Sequence, residues 1–168
     1  IGYMAKALLK LIGENVAFAE LSSLAETLDP GSFENEGRAL AEALVGKVPV
    51  IYSSTVNFPL AYTWKITFNE TGKVPSFYHV FPELNHNEMT GFDWVKPNKA
   101  LSDKFHFIFL RDAADNPKIL KRMEVCQGLY EKKRLPVTVL NLEGTTVFEK
   151  IFNSILVADW ASFYTAKF

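Results

Sequence analysis

The chain contains one cysteine, Cys126. One thiol cannot close an internal disulfide or supply a CxxC zinc or redox site, so a reducing, cytoplasmic setting is the expectation. No apolar run approaches the roughly 18 residues that span a bilayer. Lys6 and Lys10 interrupt the amphipathic start and there is no signal-peptide layout, so no membrane partner is expected and the sequon Asn69-Glu70-Thr71 reads as chance. Neither charge sign is in surplus: 18 basic residues face 19 acidic ones, a net charge of −1. Binding to DNA or RNA draws on a positive excess, so nucleic acid is not an expected partner either. The nine glycines are nowhere spaced as G-x-G-x-x-G or G-x-x-x-x-G-K-[ST], and H-E-x-x-H and G-x-S-x-G are also missing. Dinucleotide enzymes, P-loop ATPases, zincins and α/β-hydrolases lose weight accordingly.

What is present is globular. The 168 residues, 48% of them hydrophobic and 22% charged, suit one domain with a core that needs no covalent staple. Phenylalanine is the one skew, at 14 residues. The chain opens on Ile1-Gly2-Tyr3 directly in a helical pattern and reads as a piece of something longer.

Apolar spacing predicts helices over Tyr3–Ile12 and Ala17–Leu28, a turn at Asp29-Pro30-Gly31, and a helix from Ser32 that stops at Gly46. The texture then alternates. Val48–Tyr52, Ser76–Phe81, Phe105–Leu110 and Pro136–Leu140 read as buried strands. Between them lie a helix capped by Asn57 and closed by Gly72, and a helix from Asn116-Pro117 to about Lys133. A last helix runs from Gly144-Thr145 to the final residue. Trp64, Phe68 and Phe107 are core by spacing. His79 and His106 fall inside strands and read as packed or edge residues, and Lys132-Lys133-Arg134 as a solvated helix end. Strands alternating with helices imply an α/β fold: a doubly wound parallel sheet flanked by helices, with flavodoxin-type layering.

The chemistry concentrates between Asn69 and Glu88. Glu70 falls at a helix C-terminus, where a carboxylate opposes the helix dipole at a cost of about 0.3–1 kcal/mol. It reads either as a solvated residue on a frayed end or as a general base. Pro82-Glu83-Leu84-Asn85-His86-Asn87-Glu88 follows the second strand directly, the position where open α/β sheets collect ligands. A metal reading takes Glu83, His86 and Glu88 as ligands, but no second histidine stands at a ligand spacing in this loop. Ser53-Ser54-Thr55 reads equally as an anion cradle and as a plain loop feeding the Asn57 cap.

Trp64-Lys65, Asn69-Glu70, Lys73-Val74-Pro75 and above all Pro82–Glu88 resemble the bifunctional phosphoglucose/phosphomannose isomerases, members of the sugar isomerase (SIS) superfamily. The resemblance runs from Gly2-Tyr3 to Ala161–Tyr164 and is to the second, C-terminal of that family's two SIS domains. It implies a SIS-like domain over 1–168, and interconversion of glucose 6-phosphate and mannose 6-phosphate with fructose 6-phosphate through a cis-enediol, without metal or other cofactor. It implies Glu70 as the base between C1 and C2, His86 as the ring-opening group shared across a homodimer interface, and Lys167 as the group at the ring oxygen. Asn69, Glu83, Asn85 and Asn87 are implied as substrate-binding. The pattern departs at Thr63, where the family has Arg, and the family's phosphate-cradling Gly-Gly-Ser loop belongs to its first domain. The alternative is a non-catalytic SIS module that binds phosphosugars or serves assembly.

Overall fold

A computed structural model describes residues 2–168; Ile1 lies outside them. The chain begins with α1 (Gly2–Ile12), α2 (Asn15–Thr27) and α3 (Glu34–Ala43). Then follow β1 (Val48–Ser54), α4 (Phe58–Glu70), β2 (Phe77–Phe81), α5 (Glu88–Gly91) and α6 (Lys99–Ser102). The fold closes with β3 (Phe105–Arg111), α7 (Pro117–Lys132), β4 (Val137–Asn141) and α8 (Val147–Thr165). All strand pairs are parallel, in the order β2-β1-β3-β4. This is the doubly wound, flavodoxin-like order the alternation implies.

Side chains alternate between the sheet's two covered faces, as the period of two demands. Ile51, Ile108 and Leu110 point to one face, packed by Leu40, Leu60, Trp64, Phe68, Val157 and Ala161 from α3, α4 and α8. Val50, Tyr52, Phe107 and Phe109 point to the other, with Phe81, Leu84, Met123, Cys126 and Tyr130. Trp64, Phe68 and Phe107 are fully buried, and the Trp64 indole N–H donates to Ser154 Oγ at 2.9 Å. His106 is buried too, its ring nitrogens 3.2 Å from the Ala43 carbonyl and 2.8 Å from Thr138 Oγ1, and burial lowers its pKa. Burial likewise pushes the Cys126 thiol up to about 12, so this cysteine is inert packing.

Local signals account for most boundaries. Asn116 Oδ1 accepts from the Lys118 amide ahead of Pro117, and Thr146 Oγ1 accepts from the Glu149 amide at the start of α8. Gly46 closes the third helix with φ +70°.

Several expectations shift. β1 runs two residues past Tyr52, to Ser54. Asn57 occupies the cap position of α4 but does not cap it, because its amide group donates instead to Ser54 Oγ and Asp115 Oδ1. Gly72 is not the left-handed residue after α4; Lys73 is, at φ 58°. Gly72 is required for space, since a Cβ there would stand 2.8 Å from the Phe68 carbonyl oxygen. The stretch between β2 and β3, to which the pattern assigns no element, holds α5 and α6. The last helix ends at Thr165, short of the final residue. The apolar stripe of α1 buries no residue: Met4, Leu8, Leu11 and Ile12 are all exposed, because the helix packs chiefly along α2 and not on the sheet.

Candidate active site

A helix between parallel strands returns the chain to the edge where the strands begin. Glu70, the last residue of α4, therefore lies at the amino-terminal edge of the sheet, whereas the Pro82–Glu88 loop leaves the carboxyl edge of β2. The hydrogen bonds fix both placements. Ser76 Oγ donates to the carbonyl of Pro49, at the start of β1, and Thr55 Oγ1 donates to the carbonyl of Phe81, at the end of β2. The length of β1, about 20 Å at 3.3 Å per residue, separates the two edges. Glu70 and His86 of one chain therefore do not converge at one edge of the sheet.

The Glu70 turn is tightly tied. Asn69 Nδ2 donates to the Val74 carbonyl at 2.9 Å and closes the loop between α4 and β2. The Thr71 and Gly72 amides both donate to the Thr67 carbonyl. Glu70 is exposed and forms no ion pair among the described residues. Thr63, about two turns earlier on the helix, spends its hydroxyl on the Pro59 carbonyl at 2.9 Å.

The His86 loop is anchored on both flanks. A cis Phe81–Pro82 bond leads into a 3-10 turn over Glu83–Asn85, and Leu84 is fully buried. The His86 amide donates to the Glu83 carbonyl at 3.0 Å, while its imidazole is exposed. Glu83 and Asn87 are exposed as well. Asn85 is half-buried: Arg122 Nη1 on α7 donates to its Oδ1 at 3.3 Å, and its Nδ2 lies 3.5 Å from Met89 Sδ. These side chains line a shallow hollow of about 230 Å³ with Lys121 and Cys126.

Glu88 turns away from Glu83 and His86, so the three do not form the cluster that a metal reading requires. Its Oε1 accepts from Tyr52 Oη at 2.6 Å, and its Oε2 lies 3.5 Å from His79 Nδ1. That second contact lacks hydrogen-bond geometry, leaving His79 Nδ1 buried without a partner. Tyr52 Oη is also 3.3 Å from Tyr130 Oη. Burial and the nearby carboxylate hold the Tyr52 phenol far above its ordinary pKa, so it remains a donor. Tyr52 and Tyr130 escape a sequence reading because an aromatic in an apolar strand or helix reads as core, which both also are.

Ser53 and Ser54 end β1 and Thr55 starts the turn that leads to Asn57. The Ser53 and Ser54 hydroxyls are buried, Ser53 Oγ donates to the Ser54 carbonyl, and Ser54 Oγ accepts from the Asn57 amide. Thr55 Oγ1 is engaged as well, on the Phe81 carbonyl. Lys167 lies just past α8, which runs in the same direction as α4 and ends at the same sheet edge as Glu70; its ammonium sits 3.9 Å above the Phe163 ring. A larger hollow, about 470 Å³, lies elsewhere, between α3, the end of β4 and α8. There burial and Glu143 raise the pKa of Glu36, but neither Glu70 nor His86 faces it.

The chain is similar to known proteins over most of its length. The chain is 28% identical over 169 residues to a bifunctional phosphoglucose/phosphomannose isomerase from Aquifex aeolicus, covering 99% of the chain and 51% of that protein. A protein of the same name from Thermoplasma acidophilum is 30% identical over 151 residues, covering 88% of the chain and 45% of the relative. The chain thus spans about half the length of these curated relatives. Among solved structures, a glucosamine-6-phosphate deaminase from Thermotoga maritima superposes with a TM-score of 0.62 at 15% identity, over 99% of this chain and 50% of that one, a likeness of fold. Residues 33–168 match the bacterial phospho-glucose isomerase C-terminal SIS domain, and the chain belongs to that family.

Proposed function

We propose that this chain is the proton-transfer domain of a cytoplasmic aldose–ketose isomerase that interconverts glucose 6-phosphate and mannose 6-phosphate with fructose 6-phosphate. It works as one SIS domain of a protein about twice its length, assembled as a homodimer. The relatives' names and span support this reading.

One observation carries it. Glu70 and His86 are both exposed, both sit on turns whose neighbours are bonded down, and they face opposite edges of one sheet. That separation suits a site completed by a second copy, with Glu70 from one subunit and His86 from the other. In the reaction, His86 moves the proton that opens the sugar ring, with Lys167 at the ring oxygen. The Glu70 carboxylate then takes the proton from C2. The C2–H electron pair becomes the C1–C2 double bond, and the C1 oxygen takes up a proton to give the cis-enediol. Glu70 returns its proton to C1 as the C2 hydroxyl loses its own, and the ketose results. Each step needs only proton donors and acceptors within reach of the substrate. Asn69, Glu83, Asn85 and Asn87 flank the two reacting side chains and are assigned to substrate hydroxyls.

Glu70→Gln in the full-length protein tests the base, because Gln keeps the shape and removes the proton acceptor. The expected loss of fructose 6-phosphate turnover is about 10²- to 10⁴-fold; substantial residual turnover overturns the assignment. A second reading, a phosphosugar-binding module without turnover, is favoured by Thr63 in place of the family's Arg. Calorimetric binding of 6-phosphogluconate by a wild-type protein that turns nothing over would establish it.

A further inference from the structure

We propose that Glu88 is the positioning residue of His86, holding the imidazole in its working direction through a hydrogen bond to Tyr52 in the sheet. The inference rests on the isomerase reading for its kinetics, though not for its geometry.

His86 has no side-chain tether of its own, and its ring stands in solvent. Its direction is therefore set by the backbone of the loop that carries it, which is held on both sides of His86, Asn85 adding an exposed bond from Arg122. On one side Leu84 is fully buried against Phe81 and the aromatic face of the sheet. An apolar contact of this kind holds depth but tolerates rotation. On the other side, two residues past His86, the Glu88 carboxylate accepts from Tyr52 Oη at 2.6 Å. A charge-assisted bond of that length is directional and strong.

The bond's other end is rigid. Tyr52 is completely buried in the second strand position of the sheet, between Phe107 and Phe109, and its ring packs edge-on against Phe81. Glu88 has no lysine or arginine partner among the described residues. The groups facing it are Tyr52, His79 on β2, and, beyond Tyr52, Tyr130 and Cys126 on α7. A half-buried carboxylate without a cation is a costly way to fill space. Its return is orientation: it links the loop of an exposed imidazole to the least mobile part of the molecule. Second-layer contacts of this type decide whether a site is held to the fraction of an ångström that catalysis needs.

The test uses the full-length protein. Glu88→Ala is expected to lower kcat between about 10- and 100-fold with KM within about twofold, the signature of a misplaced catalytic group. Glu88→Gln, whose amide oxygen still accepts from Tyr52, should recover most of that loss. In a His86→Ala background, Glu88→Ala should cost nothing further, because its effect runs through the missing ring. In parallel, the His86 ring resonance, assigned by its loss in His86→Ala, should shift or broaden in Glu88→Ala and return in Glu88→Gln. A full Glu88→Ala loss that persists without His86, or a His86 resonance that does not change, overturns the proposal. If Glu88→Ala does not fold, Tyr52→Phe, which removes only the hydroxyl, carries the same predictions. A wild-type protein that lacks isomerase activity overturns the isomerase reading alone, and the resonance then decides the role of Glu88.

Discussion

The Glu70 turn and the His86 loop solve the same problem at opposite edges of one sheet. Each must hold an ionisable side chain in solvent without letting it wander. The Glu70 turn does so locally: Asn69 bonds to Val74 five residues on, and the helix carbonyl of Thr67 takes two amides. The His86 loop does so at long range, through Leu84 in the core, Glu88 on Tyr52 and Asn85 on Arg122. A turn stitched by its own neighbours depends on little else. A loop pinned to three other elements depends on the whole carboxyl edge. The difference teaches that Glu70 is held by the helix end that carries it, while the His86 imidazole is placed by the fold.

The strongest way to break the comparison is to ask whether the two edges belong to one site. Glu70→Gln and His86→Ala are each expected to be nearly inactive as pure full-length proteins. Unfolded together and refolded as a mixture, half the dimers should be mixed and one of their two sites intact, giving about one quarter of wild-type turnover. A mixture as inactive as its parents would show that no site is shared.

A smaller effect sharpens the local half. Asn69→Ala leaves the Val74 carbonyl without its partner and loosens the Glu70 turn, at a cost of about 1 kcal/mol in urea unfolding. kcat should fall while the His86 ring resonance stays in place; movement of that resonance would mean that the two turns are coupled.

The smallest expected effect concerns stability at the amino-terminal edge. Burial lowers the His106 pKa in the folded state. The unfolded chain therefore takes up the proton first, and stability falls as pH drops through the unfolded value, about 6.5. Above that value the group is neutral in both states and contributes no pH dependence. His106→Gln should flatten the acid side of a stability–pH curve without changing its slope above pH 7; an unchanged acid limb would refute the role.

Much of this was legible in the residues. The four strands and the main helices follow from apolar runs, Asn116-Pro117 and Gly144-Thr145, because those signals act over a few residues. The opposite placement of Glu70 and His86 was legible in part: one ends a helix and the other follows a strand, and consecutive helix and strand ends alternate between edges. The failure of the α1 stripe to reach the core was not legible, since amphipathic spacing states only that a face is apolar and not what covers it.

The sequence by itself determined the α/β class, the positions of the four strands, and the Pro82–Glu88 string that carries the family likeness. The tertiary structure alone decided which groups meet. Tyr52 and Glu88 are 36 residues apart, as the hydrogen bond between them spans, and Asn85 meets Arg122 across 37. Local patterns encode the preferences of a backbone segment. Contacts across a sheet arise only when strand order and crossover direction bring distant segments together. For that reason a glutamate that reads as one more polar loop residue emerges in the fold as the tether of the histidine beside it.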